Sequence, residues 1–172
     1  MSFLSRLFGD RSERQALRPL YDAAVRVGRD PGWYREGGVP DTMTGRFDVV
    51  SSVVALLLLR LEAEGDAARR ETVMLTELFI DDMDATLRQA GTGDLVVGKR
   101  VGKLMSTLGG RLGAYREAFA GEGDLHGAVR LNMFRDSPPS DEVVPVAAER
   151  LRALHARLAG VPLAQLLAGE IS

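Results

Sequence analysis

The sequence predicts an all-α protein, a single-domain bundle of six or seven helices around one fully apolar central helix. Along most of the chain, apolar residues recur at spacings of three and four, which is the period of amphipathic helices. One long stretch is apolar on all sides, as expected for a helix covered by neighbours in a bundle. No segment shows a convincing alternating pattern of strands, which leaves helices as the building elements.

The composition describes a soluble globular protein of one domain. The 172 residues are 45% hydrophobic and 27% charged, which allows a sizeable core. Because the chain has no cysteine, disulfides, thiol nucleophiles and thiolate metal sites are excluded, and a reducing compartment is compatible. The net charge of −2 disfavours a globally basic nucleic-acid binder, and we expect no DNA partner.

Residues 1–10 are interpreted as an N-terminal arm and residues 11–172 as the helical domain. Phe3, Leu4, Leu7 and Phe8 fall on one side of a two-turn helix. The arm is too short for a signal peptide or an anchor. Contact with a membrane interface and packing on its own domain both remain open.

A first helix is predicted over residues 13–27 and is ended by Gly28. Pro19 lies inside this span, so we expect either a kink there or a helix that starts there. Trp33 and Tyr34 follow between two turn clusters, in a loop or a single helical turn. The tryptophan either covers the core or contacts a partner.

The central helix is predicted from the run at residues 49–59, which only Ser51 and Ser52 interrupt. A membrane span needs about 20 apolar residues, and charged residues bound this run well short of that. We therefore place it in the middle of the bundle.

The next helix carries an apolar stripe of Leu75, Leu78, Phe79, Met83, Leu87 and Ala90. Its opposite, polar face is formed by Glu77, Asp81, Asp84 and Arg88. Asp82 falls on the flank of the apolar stripe, where a carboxylate needs a cation or hydrogen-bond donors. We expect Lys99 or Arg46 to pair with Asp82.

After Lys99 another helix is predicted to about Ala120, with a second face made of small residues. These are Gly102, Ser106, Gly109, Gly110 and Gly113. Each glycine costs a helix about 1 kcal/mol against alanine, so this face indicates that something approaches the backbone closely. We expect a neighbouring helix of the same fold, and a transmembrane helix of a client is the alternative. Further helices are predicted over residues 125–135 and 143–159 and after Pro162.

No catalytic or metal motif is complete. Gly93 to Lys99 matches a phosphate-binding loop, but Arg100 replaces the hydroxyl residue that holds magnesium, and a helix replaces the preceding strand. His126 and His155 form no Glu-x-x-His pair and no catalytic grouping. We expect a protein that is not an enzyme and has no cofactor. A small-ligand or haem-binding helical module is the alternative.

A local basic patch follows the acidic helix and consists of Lys99, Arg100, Lys103 and Arg111. We expect one of these cations to pair internally. The others could meet anionic lipid, ribosomal RNA or an acidic loop of a partner.

Several blocks together resemble the ubiquinol-cytochrome c chaperone family. They are GVPDTMTGRFD from Gly38, LLLLRL from Leu56, FIDDMDATLRQAGTGDLVVGKRV from Phe79, GRLGAYREAF from Gly110 and LAGEI near the end. The residues matching the family pattern are Trp33, Tyr34, Arg46, Phe47, Asp48, Asp81, Asp82, Met83, Leu87, Arg88, Gly93, Asp94, Gly98 and Lys99.

The resemblance implies an all-helical, non-catalytic assembly factor for the cytochrome bc1 complex. It implies cytochrome b as the client and a cytoplasmic location, with the ribosome exit region or the inner-membrane surface as further contacts. The oligomeric state is open. The candidate partner contacts are Trp33, Tyr34, Arg46, Asp81, Asp82, Arg88, Asp94, Lys99, Arg100 and Lys103.

Overall fold

The computed structural model describes residues 11–89 and 97–171 and confirms the all-α class, with no strand in that part of the chain. Its helices are α1 (Arg11–Ala16), α2 (Arg18–Gly28), α3 (Gly32–Arg35), α4 (Met43–Glu62), α5 (Arg69–Gln89), α6 (Val97–Ala120), α7 (Leu125–Met133), α8 (Val143–Ala159) and α9 (Leu163–Leu167), with a 3₁₀ turn at Gly65–Ala68. Six of these described helices have nine residues or more, within the expected count, and α1, α3 and α9 are short. The predicted arm at residues 1–10 lies outside the described residues.

Helix α4 lies among α2, α5, α6, α7 and α8 and contacts all of them. Its residues 48–58 are all buried. The Thr42 side chain caps its start by accepting a hydrogen bond from the Gly45 amide at 3.1 Å. The helix is not apolar throughout, because Asp48, Ser51 and Ser52 are among its buried residues. The two serine hydroxyls are satisfied by backbone carbonyls one turn earlier.

The buried carboxylate of Asp48 joins three parts of the chain. Arg111 of α6 donates to it, and both side chains are only 1% exposed. Arg135, just after α7, donates its Nε–H to the same oxygen at 2.8 Å. Burial raises the pKa of Asp48, and the hydrogen bond from Arg135 and the charge of Arg111 oppose that rise. Arg111 is therefore a buried ion-pair partner and not a member of the expected basic surface patch.

Leu17 separates α1, which ends at Ala16, from α2, which begins at Arg18. Pro19 lies in the first turn of α2. A proline there costs no hydrogen bond, so the second of the two expected outcomes, a helix that starts at this point, is the one observed. Gly28 is the last residue of α2, and a Cβ at this position would lie 2.7 Å from Val50 Cγ2. The glycine therefore lets α2 approach α4 closely.

Candidate functional site: a trough beside the central helix

Two adjoining cavities flank the first turns of α4, and we call them together the Met43 trough. The α2 lobe has a volume of about 480 Å³ and is lined by Val25, Arg29, Asp41, Thr42, Met43, Arg46, Phe47, Val50, Asp82, Met83, Thr86 and Leu87. The α6 lobe has a volume of about 280 Å³ and is lined by Met43, Thr44, Phe47, Leu87, Arg100, Lys103, Leu104, Thr107 and Arg135. Met43, Phe47 and Leu87 belong to both lobes, so the two cavities lie side by side. Met43 is 53% exposed.

Phe47 is the fixed part of the floor between the lobes. Its ring packs on Phe79 with 6.0 Å between centroids. The guanidinium carbons of Arg111 and Arg135 each lie 5.5 Å from its centroid, at cation–π distance. Because both arginines are held by Asp48, the ring is held by the same buried cluster. The trough thus has a rigid apolar floor with cations beside it.

Asp82 lies half-buried in the wall of the α2 lobe and is bound by a different partner than expected. Tyr21 of α2 donates its hydroxyl to the Asp82 carboxylate at 2.8 Å. The expected pairing with Lys99 or Arg46 is wrong, because Arg46 pairs with Asp41 at 2.6 Å and Lys99 is exposed. Burial and the neighbouring carboxylate both raise the pKa of Tyr21, which keeps its proton in place for this bond.

Asp84 is the carboxylate of α5 that pairs with Arg100 of α6. The helical period places Asp84 on the polar face of its helix. This prediction is wrong, because the residue is buried and only 7% exposed. Arg100 donates its Nε–H to Asp84 Oδ1 at 2.9 Å, and Arg88 Nε lies 3.3 Å from Asp84 Oδ2. Asp84 and Arg88 are one turn apart in the sequence, and this spacing is a signal for the Asp84–Arg88 pair.

The predicted partner contacts divide into two groups. Arg46, Asp82, Arg100 and Lys103 line the trough. The candidates that do not line it are Trp33, Tyr34, Asp81, Arg88 and Lys99. Asp94 lies outside the described residues. No contact with a partner is tested by this geometry, so all ten roles stay predictions.

Trp33 and Tyr34 lie in the single helical turn α3, as one of the two expected conformations. Trp33 is 3% exposed, and its indole N–H donates to the Val27 carbonyl at 2.9 Å. Tyr34 is half-buried and donates its hydroxyl to the Gly28 carbonyl at 2.6 Å. Trp33 therefore covers the core in this structure, and the guanidinium carbon of Arg150 lies 5.2 Å from its ring centroid.

The small-residue face of α6 has no neighbour in the part of the chain that the structure describes. A Cβ added at Gly98, Gly102, Gly109, Gly110 or Gly113 would meet no atom within 4 Å in the described part of the chain. The expectation that a helix of the same fold covers this face is therefore wrong. Helix α6 instead packs through its opposite side, where Leu104, Leu108 and Tyr115 are buried. Met105 lies on the open face and is 47% exposed.

Other chemistry has little support in residues 11–89 and 97–171. No cluster of three or more His, Asp or Glu side chains there could hold a metal ion. None of the helices in these ranges is long and apolar enough to cross a membrane. His155 stacks on Phe119 with 3.9 Å between ring centroids, and neither His155 nor His126 lines the trough.

Comparison with known proteins identifies the family. The sequence model of the ubiquinol-cytochrome C chaperones matches residues 35–172. The chain belongs to this family. Among solved structures it is similar to the crystal structure of the Cbp3 homolog from Brucella abortus, with 29% identity and a TM-score of 0.78, over 99% of this chain and 96% of that one. A comparison with curated protein sequences gives no match.

The chaperone-family match includes most of the trough. It begins at residue 35, so α4, α5 and α6 all lie within it, whereas α2 precedes it. The similarity to the Brucella abortus structure extends over nearly the whole chain and so includes α2. The trough residues on α4, α5 and α6 thus lie within the family match.

Proposed function

We propose that this chain is a non-catalytic assembly factor that binds an apolar helix of cytochrome b during assembly of the bc1 complex. Membership of the ubiquinol-cytochrome c chaperone family supports the biological role. The open small-residue face of α6 is the structural observation that carries the mode of binding.

The open face suits a transmembrane helix of a client. Small residues let two helix backbones approach closely, which is how helices associate in membranes. Glycine lowers helix stability, and no described residue of the fold takes up the space beside this face. Met105 adds a flexible apolar side chain that can adapt to a partner.

Charges beside this face offer a second contact. Lys99 and Lys103 are one turn apart on α6 and both are exposed. They are the only lysines of the chain. Lys103 also lines the α6 lobe, next to the apolar floor at Phe47. Acidic side chains that flank an apolar client helix would therefore find cations at this end of α6.

The test combines deletion with co-purification. In a strain that lacks the protein, we expect reduced bc1 complex, and the tagged protein should co-purify with cytochrome b from respiring cells. Normal complex levels in the deletion strain would contradict the function. Replacing Gly109 by glutamine should weaken co-purification without unfolding the chain, because Gly109 is exposed.

Val73 provides a matched control for the surface. It is 50% exposed and lies on α5, away from the open face of α6. Val73→Gln therefore introduces glutamine at an exposed position, as the Gly109 variant does. We expect this variant to retain cytochrome b. An equal loss of cytochrome b co-purification in the Gly109 and Val73 variants would contradict α6 as the client surface. The assembly role would then be tested by the deletion strain alone.

A further inference from the structure

A third cavity adjoins the α2 lobe of the trough. It has a volume of about 240 Å³ and is lined by Arg29, Pro31, Tyr34, Arg35, Asp41 and Arg46. It shares Arg29, Asp41 and Arg46 with the α2 lobe, so the two cavities are neighbours. We call it the arginine cavity.

The arginine cavity carries an excess of positive charge. Its three guanidinium groups face one carboxylate, that of Asp41, which is paired with Arg46. Within the described residues, Arg29 and Arg35 form no ion pair. This excess occurs in a protein whose net charge is −2. Arginine binds oxyanions through paired N–H donors, so a phosphate fits this cavity chemically.

Tyr34 adds no negative charge to the arginine cavity. Its hydroxyl donates to the Gly28 carbonyl, and burial raises its pKa to about 12. The phenol therefore stays neutral at physiological pH and contributes no negative charge to the cavity. Asp41 is the carboxylate that an incoming anion meets in the arginine cavity, and the carboxylate of Asp82 lies in the wall of the adjoining α2 lobe.

The neighbouring α2 lobe has an apolar part beside its charged lining residues Arg29, Asp41, Arg46 and Asp82. Val25, Val50 and Met83 line the α2 lobe, and Met43 stands 53% exposed at its edge. A free phosphate ion would leave this lobe empty. Single-stranded RNA is recognised largely by stacking on aromatic rings, but Trp33 is buried and Tyr34 is half-buried. A ligand with an anionic head and an apolar chain uses both spaces.

We propose that an anionic phospholipid binds here, with its headgroup phosphate held by Arg29, Arg35 and Arg46 and an acyl chain passing Met43 into the α2 lobe. This site docks the protein on an anionic membrane surface. It is distinct from the open face of α6, so its test is independent of the client.

Flotation with lipid vesicles tests the proposal on the full chain. We expect binding to phosphatidylcholine vesicles that contain phosphatidylglycerol and none to phosphatidylcholine alone. Each basic residue near an anionic surface contributes about fivefold in binding, so Arg35→Ala should lower vesicle affinity about fivefold and Arg29→Ala/Arg35→Ala about 25-fold. Met43→Gln should also weaken binding, and its exposed position preserves the fold.

Arg157→Ala is the charge-matched control. Arg157 is exposed on α8 and lines a different cavity, with Arg26 and Arg150. It should keep most of its vesicle binding, and equal losses in the Arg157 and Arg35 variants would overturn the site in favour of diffuse attraction. Binding that Met43→Gln leaves unchanged would overturn the acyl-chain contact. Binding of inorganic phosphate or an RNA oligonucleotide, with no binding to anionic vesicles, would overturn the lipid as occupant.

Discussion

Arg100 and Asp84 form an ion pair at 2.9 Å between Nε and Oδ1, and each side chain is 10% exposed. The pair connects α6 to the C-terminal half of α5. Removing one partner of such a shielded pair leaves a charge without its counterion. We expect Asp84→Ala to lower the free energy of unfolding by about 3 kcal/mol, measured by urea denaturation.

Asp81→Ala is the control for that measurement. Asp81 is 64% exposed and pairs with Arg14 at 3.2 Å. Exposed ion pairs contribute about 1 kcal/mol or less, so this variant should change stability little. Equal effects of the two substitutions would show that burial of Asp84 does not determine its contribution.

The Tyr21 hydroxyl and the Asp82 carboxylate should be energetically coupled. A hydrogen bond to a charged group contributes about 1.5 to 3 kcal/mol. We expect a double-mutant cycle of Tyr21→Phe and Asp82→Ala to give a coupling energy in that range. A coupling energy near zero, with each single variant as stable as the parent, would contradict the contact. The Asp82 variant should also leave the Arg46–Asp41 pair unaffected, since neither residue bonds Asp82.

The glycines of α6 and α2 should respond in opposite directions to alanine. At Gly109 and Gly110 an added Cβ meets nothing within 4 Å, so each substitution should stabilise the protein by up to about 1 kcal/mol. At Gly28 the added Cβ would press on Val50, and overpacking costs about 1 to 3 kcal/mol. Thermal unfolding of the three single variants measures both effects. Destabilisation by Gly109→Ala would mean that another element covers this face.

His155 should make stability fall on acidification. Burial lowers the pKa of His155 in the folded protein, so the unfolded chain binds the proton more readily. The free energy of unfolding should therefore decrease from about pH 7 to about pH 5 as His155 is protonated. His155→Phe keeps a ring against Phe119 and should reduce this pH dependence. An identical slope in the parent and the variant would exclude His155 as its source.

Helix positions were largely predictable from the sequence, whereas the partners of charged residues were not. Residues 143–159 were predicted as a helix and form α8 with those bounds, because its apolar period and flanking turns are local signals. The sequence predicts a cation as the partner of Asp82, but Asp84 is the residue that pairs with a cation. The helical period of α5 alone determines neither the Tyr21 partner of Asp82 nor the Arg100 partner of Asp84. These partners depend on how α5 is rotated about its axis against α2 and α6.

The candidate site was predictable in part for a similar reason. The resemblance pointed to Arg46 and Asp82, which line the trough, but also to the buried Trp33. Phe47 is among the residues that match the family pattern, but neither its side chain nor that of Met43 has a chemistry that marks a site. The glycine face of α6 was recognised as an approach surface, yet its pattern could not tell an internal neighbour from an external one.

The buried cluster at Asp48 also sets an order for biosynthesis. Synthesis proceeds from the N-terminus, and Arg135 lies 87 residues after Asp48, so the carboxylate waits for both of its cations until α7 has left the ribosome. The same two cations fix the ring of Phe47. The trough is therefore completed only after Arg135 has emerged from the ribosome, and a nascent chain cannot hold a ligand there before most of it has been translated.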